Sequence, residues 1–326
     1  MLVAVAFLLV AAPSPLGAMK IPDDNPQAPE KIALGEQLWF DKRLSVDGTR
    51  ACYSCHQNED GLGGHDPLAI GPGEKKLTRH SPVMWNVGFL PRWYWDGRAT
   101  TLEGQTKAAW GGSNMGVGND NLEAKAKTIE AIEGYKTQFA KVFPDGVTAA
   151  NVVKALVAYE RTLVCDNTAY DRFVAGEKKA LSKQAQSGLA LFTGKAGCTG
   201  CHPAPFFSAA YEAPEGMYYN AGVGTDVTPE DKVDVGRMSV TKKESDWAAF
   251  KVPSLRNVAK SAPYFHDGSV AKLEDAVRFM AAGGRKNKNV SELLVDKKLS
   301  AAEVKDLVAF LKSLDCPGVL KAPKLP

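Results

Sequence analysis

Cys52-Tyr-Ser-Cys55-His56 and Cys198-Thr-Gly-Cys201-His202 are the two stretches that decide how this chain folds. Each sets two thiols three residues apart, able to form thioether bonds to the vinyl groups of one haem. An imidazole follows at once, placed to ligate the iron. A zinc site would need each pair completed by further Cys or His at ligand spacing. No other Cys-x-x-Cys occurs, and His65, His80 and His266 are not spaced to complete one. The reading is two covalent c-type haems, attached through Cys52 and Cys55 with His56 on the first iron, and through Cys198 and Cys201 with His202 on the second.

The segments leading into the pentads repeat. Ile32-Ala-Leu-Gly-Glu-Gln-Leu-Trp-Phe40 precedes the first and Gln186-Ser-Gly-Leu-Ala-Leu-Phe192 the second, each a short amphipathic helix before a Gly-containing turn. Further helical periodicity covers Leu122–Ile132, Ala149–Leu163, Lys183–Phe192, Leu273–Ala282 and Ala301–Leu314. Thr148 and Ser300 stand as N-caps, the latter in capping-box spacing with Glu303, and Gly283-Gly284 ends the fourth helix. Residues 57–121 and 203–265 read as long loops rich in Gly, Pro and aromatics, which a porphyrin could support as part of the core. The expected fold class is mainly α: two cytochrome c-like haem domains with long loops.

A length of 326 residues allows two domains, each with its own core. Charged residues at 24% and a formal charge of +3 are ordinary for a globular protein and give no basis for a nucleic-acid or membrane-surface partner. The uncharged run Leu2–Ala12, broken by Pro13 and Pro15, has the length of a signal-peptide core and is too short to span a bilayer. Residues 1–18 are read as a cleaved leader and the mature protein as periplasmic, although no Lys or Arg precedes the run and an uncleaved anchor is the alternative. Of six cysteines, the haems take four. Cys165 and Cys316 remain, as a disulfide in an oxidising compartment or as two separate thiols.

Several stretches, in order, resemble the bacterial di-haem cytochrome c peroxidases and the related MauG-type enzymes. They are Leu38-Trp-Phe-Asp-Lys-Arg-Leu-Ser45, the first pentad, Trp95-Asp-Gly-Arg98 with Leu102 and Gln105, and Tyr159-Glu-Arg-Thr162. They continue through Leu191-Phe192, the second pentad, Phe250-Lys-Val-Pro-Ser-Leu-Arg-Asn-Val258 and Ala262-Pro-Tyr-Phe-His-Asp-Gly268. The resemblance implies a peroxidatic haem in residues 19–165 and an electron-transfer haem in 166–302, with residues 303–326 folding back onto the first domain. That return would bring Cys316 towards Cys165.

The resemblance also places site residues. Met280 lies fourteen residues after His266, where the peroxidases carry an axial Met and MauG-type enzymes a Tyr. A His202/Met280 haem would have a raised potential; by periodicity alone Met280 is a core residue on a helix face. Trp95 matches the tryptophan between the haems, whereas Trp85 and Trp93 read as structural. Arg98 and Arg256 are propionate or structural partners. Many peroxidases carry a removable distal His where this chain has Pro72, so the first haem should be open; His65 and His80 are nearby substitutes. The distal Glu of the family corresponds to Asn114, which with Gln105 can hydrogen-bond peroxide but cannot carry its proton. Glu103 or a water is left as the base. The family's calcium-ligating Asn corresponds to His80, a poor calcium ligand, with the Ser261 and Pro263 carbonyls as further donors.

The expected activity is reduction of hydrogen peroxide to water by electrons from a small c-type cytochrome or cupredoxin. The rivals are a MauG-like oxidase acting on Trp or Tyr of a partner protein, and a di-haem electron carrier. A homodimer is left open.

Overall fold

A computed structural model describes residues 14–226 and 229–326. The apolar run of the expected leader falls on residues outside these. Among the described residues the chain forms ten α-helices: α1 Pro29–Phe40, α2 Leu102–Gly111, α3 Leu122–Glu130, α4 Glu133–Val142, α5 Ala149–Glu160, α6 Ala169–Val174, α7 Lys183–Thr193, α8 Met238–Thr241, α9 Leu273–Ala281 and α10 Ala301–Lys312. Two short strands, β1 Tyr218–Tyr219 and β2 Phe250–Lys251, pair antiparallel with Tyr218 opposite Lys251. The mainly α expectation holds, with many one-turn 3₁₀ segments in the connections.

Helix starts follow the local chemistry. Thr148 Oγ1 accepts from Asn151 N at 3.1 Å, and Ser300 with Glu303 forms the full reciprocal box. Gly283 and Gly284, at φ +90° and +66°, turn the chain out of α9. Four helices were not expected: α2, α4 and the short α6 and α8. The stretch 57–121 contains α2, capped by Thr101, whose Oγ1 accepts from Gly104 N at 3.0 Å. The pattern at 122–132 breaks into α3, with α4 following it. Tyr135 and Phe139 lie one turn apart on α4 and are fully buried; their spacing with Phe143 was the overlooked signal.

The described chain repeats itself far beyond the two pentad leaders. In the first half α1 crosses α5 at Gly35, where a Cβ would stand 1.9 Å from Ala155 O. In the second, α7 crosses α10 at Gly188, where a Cβ would stand 1.9 Å from Asp306 O. After each pentad comes a similar connection, Pro82-Val-Met-Trp-Asn86-Val87 and Pro253-Ser-Leu-Arg-Asn257-Val258, with both Asn in the left-handed region. Then Trp93 bridges Ala99 as Tyr264 bridges Val270, with positive φ at Tyr94 and Phe265 and at Gly97 and Gly268. The helices α2 and α9 follow at matching distance, which sets Ala109 and Met280 in equivalent places.

This correspondence corrects the expected return at 303. α10 is the closing helix of the second half: Leu307, Phe310, Leu311 and Leu314 bury with Phe192 and Phe207. The return begins only after Leu314. Beyond it, Cys316 reaches Cys165 in a disulfide, Leu320 N donates to Asn58 Oδ1 at 2.9 Å, and Gly318 packs on the Trp85 ring. Cys165 and Cys316 are themselves counterparts. Their amides donate to Asn86 Oδ1 and Asn257 Oδ1 at 2.8 and 2.9 Å.

Candidate functional site: two imidazole centres and a shared cavity

The two pentads are built alike. Each cysteine pair sits on a single 3₁₀ turn, Cys52–Ser54 and Cys198–Gly200, with the His just beyond. His56 Nδ1 lies 3.1 Å from Leu62 O and His202 Nδ1 lies 2.9 Å from Phe207 O. Leu62 and Phe207 both adopt positive φ, uncommon for non-glycine residues. Burial pushes both imidazoles down to about 4, so each is neutral. A neutral ring whose Nδ1–H is held by a backbone carbonyl presents Nε2 as the ligand atom. Burial also pushes the thiols up, to about 11 for Cys198, so as free thiols they would be unreactive. Thioether attachment suits them.

Beside His56 lies a cavity of about 800 Å³, the size of a large cofactor site. The first half lines it with Trp39, Cys52, Cys55, His80, Trp95, Gln105, Asn114 and Glu160. The second half contributes Tyr211, Lys251, Ser261 and Pro263. Lys251 fits a group with anionic edges. Burial pushes its ammonium down to about 8, partly offset by Asp96, and its Nζ makes no ion pair among the described residues. The neutral imidazole, the paired thiols, the apolar volume and a half-buried lysine without an ion pair together fit a haem with its propionates.

The expected site residues separate clearly. Gln105 and Asn114 line the cavity together. Glu103 does not: it is ion-paired to Arg161 at 2.6 Å and accepts from Asn25 Nδ2 at 3.0 Å, which removes it as the distal base. His65 is exposed, bonded to Asp60 at 3.1 Å, and does not line this cavity. His80 is buried on the cavity wall with Nδ1 2.9 Å from Asp66 O, so it offers an imidazole where calcium would want oxygen.

Trp95 donates from Nε1 to His80 O at 2.8 Å, and its carbonyl accepts from Lys251 N at 2.7 Å. Trp95 is thus fixed between the two halves, while Trp85 and Trp93 belong to the first core. Arg98 lines the cavity, paired with Asp96 and stacked on Tyr94 at 3.5 Å. Arg256 is fully buried and forked onto Asp171, with Nε on Pro205 O, a structural role. Met280 lies half-buried on α9. Leu273 and Val277 of the same helix pack on the second core; Met280 is not part of that packing.

One residue was overlooked. Glu160 ends α5, a helix otherwise made of buried apolar side chains, and opens onto the cavity. Its Oε2 accepts from Thr106 Oγ1 at 3.0 Å, and burial pushes its carboxyl up to about 8. A single carboxylate closing an apolar helix was the signal available in the sequence.

A chain with two Cys-x-x-Cys-His sites on two cytochrome c-like helical frames is a di-haem c-type cytochrome. The profile of the family described as di-haem cytochrome c peroxidase matches residues 29–179. A relative named cytochrome-c peroxidase IdrP1, from Pseudomonas sp. (strain SCT), is 33% identical over 96% of this chain and 88% of its own length. The methylamine utilization protein MauG of Methylorubrum extorquens is 34% identical over 94% of this chain and 84% of its own. A crystal structure of a MauG-like protein associated with microbial copper homeostasis superposes with a TM-score of 0.86 at 31% identity, covering 94% of this chain and 95% of that one. The chain belongs to the di-haem cytochrome c peroxidase and MauG family, whose members bind two c-type haems.

Proposed function

We propose that this protein is a bacterial di-haem peroxidase that reduces hydrogen peroxide to water with electrons from a small c-type cytochrome or cupredoxin in the periplasm. The observation that carries this reading is the asymmetry between equivalent positions. Met280 on α9 corresponds to Ala109 on α2, and Ala109 lines the cavity beside His56. A thioether can reach a haem iron; a methyl group cannot. Pro72 offers no ligand either. His56 would hold the first haem with no side chain at Ala109 or Pro72 able to ligate it, and that haem would supply a Lewis-acidic, redox-active centre for peroxide; His202 and Met280 would hold the second, which would supply electron transfer.

The chain's own residues then have defined tasks. Leu62 O fixes the His56 ring through Nδ1. The Gln105 and Asn114 amides hydrogen-bond peroxide oxygens without exchanging protons with them. Lys251, on the cavity wall, would hold a propionate carboxylate. Trp95, bonded to both halves, fills the space between the two sites with an indole. The replacement of the family's distal carboxylate by Asn114 favours a second reading, the MauG-like oxidation of a Trp or Tyr in a partner protein. Met280 in place of an axial Tyr weighs against it.

Steady-state mixing with peroxide and a reduced small c-type cytochrome tests the reading. The expected result is donor oxidation at two donors per peroxide. A protein with no peroxide-dependent donor oxidation, or with two low-spin haems when oxidised, is an electron carrier instead.

A further inference from the structure

The family's distal carboxylate is missing, yet breaking the O–O bond of peroxide needs a group that can accept and return a proton. The carboxylates lining the cavity are Asp96 and Glu160. Asp96 is held by Arg79 at 2.6 Å and Arg98 at 2.8 Å, so it stays ionised and structural. Glu160 has no such partner. Its neighbour Arg161 is taken by Glu103, and Thr106 Oγ1 occupies only one of its two oxygens.

Thr106 adjoins Gln105 on α2, so Glu160 is fastened to the helix that presents the peroxide-binding amide. The repeat adds an independent argument. Gly35 meets Ala155 and Tyr159 as Gly188 meets Asp306 and Phe310, which places Glu160 opposite Leu311 of the second half. The frame that holds the electron-transfer haem therefore needs only an apolar residue at this point. The frame with the open haem buries a carboxyl there, against the strong preference for keeping Glu out of apolar interiors.

We propose that Glu160 is the acid–base group of the peroxide site. The proposal rests on the peroxidase reading above. Glu160 accepts one proton from peroxide and returns it to the departing oxygen, which leaves as water when the O–O bond breaks. The oxygen left behind takes two electrons from the donor protein and two protons from solvent and becomes the second water. The groups facing Glu160 are Thr106 and Glu103 from α2, Arg161 from its own chain end and Cys52 from the pentad. Of these, burial dominates and holds the carboxyl protonated to about pH 8. Proton acceptance then strengthens as pH rises through that value.

The test uses the di-haem holoprotein and hydrogen peroxide. Glu160→Gln should keep both haems, slow the bimolecular reaction with peroxide by about 10²–10⁴-fold and abolish the rise in rate with pH. It should also remove an infrared carboxylic-acid band that titrates in the wild type. Asn114→Glu added to that variant should recover part of the rate. Thr106→Val, which takes a hydrogen bond from the carboxylate form, should move the pH midpoint upward; an unmoved midpoint overturns the proposal even where Glu160→Gln folds poorly. A Glu160→Gln protein with the wild-type rate and pH profile overturns it outright. A wild type inert to peroxide instead overturns the peroxidase reading itself.

Discussion

At the scale of single residues, the two centres differ through a few substitutions on a shared frame. Exchanging the equivalents should exchange their character. Ala109→Met is expected to convert the high-spin signal of the oxidised first haem to low-spin and to suppress peroxide reactivity, read by electron paramagnetic resonance. Met280→His should keep both haems and lower one midpoint potential, because imidazole donates more strongly to iron than a thioether; a redox titration checks it. Glu160 also has a stability signature. The folded chain keeps its proton to about pH 8, whereas the unfolded chain releases it near 4.5, the ordinary value for a glutamate. Between those values the unfolded state binds fewer protons, so Glu160 makes stability fall as pH rises from about 5 to about 8. Urea titrations at the two ends of that window should show a smaller fall for Glu160→Gln than for the wild type. The two pentads were legible from residue type and spacing, whereas Met280 was singled out through the family resemblance and by periodicity alone reads as a core residue. Glu160 was not legible, because its meaning depends on the Thr106 contact and on Arg161 being paired to Glu103 instead, and both are set in space.

At the scale of elements, each half closes on one helix crossing that admits no side chain. A Cβ at Gly35 or at Gly188 would overlap a backbone carbonyl of the partner helix. Gly35→Ala and Gly188→Ala should each destabilise by about 1–3 kcal/mol or more, since the backbones must part to relieve the clash. Thermal unfolding followed at the Soret band would measure it, and loss should be greatest at the haem carried by the altered half. Strongly periodic helices such as α5, α7 and α10 were visible because an apolar stripe recurs on one face. The short α2 was hidden, with a weak stripe whose outer turns face the cavity. The expected return of α10 to the first half rested on the family resemblance; the Gly188 contact with Asp306 and the packing on Phe192 and Phe207 set it in the second.

At the scale of the whole molecule, the two halves are stitched across the cavity. Arg79 reaches Asp96 in its own half and Asp234 in the other, both at 2.6 Å. His80 N donates to His266 O at 2.7 Å, and Gly268 fits against Pro67 with no space for a Cβ. The Cys165–Cys316 disulfide joins equivalent chain positions 151 residues apart. Closing so long a loop restricts the unfolded chain considerably, so replacing both cysteines by Ala should cost about 2–5 kcal/mol. Denaturant titration should show this as a lower midpoint. A midpoint unchanged in the double variant would mean that the stitched interface alone restrains the chain.

The sequence by itself determined the chemistry of attachment, since thioether and axial ligation need fixed residue types at fixed short spacing. It also determined the helical class, which follows from local periodicity, and the family. The tertiary structure decided which residues share a cavity, where the chain returns to the first half, and which cavity carboxylate has no ion pair. Those are long-range facts: Thr106 and Glu160 lie 54 residues apart, Lys251 and Trp95 still farther, and no local pattern encodes the burial and pairing of side chains so distant in the chain.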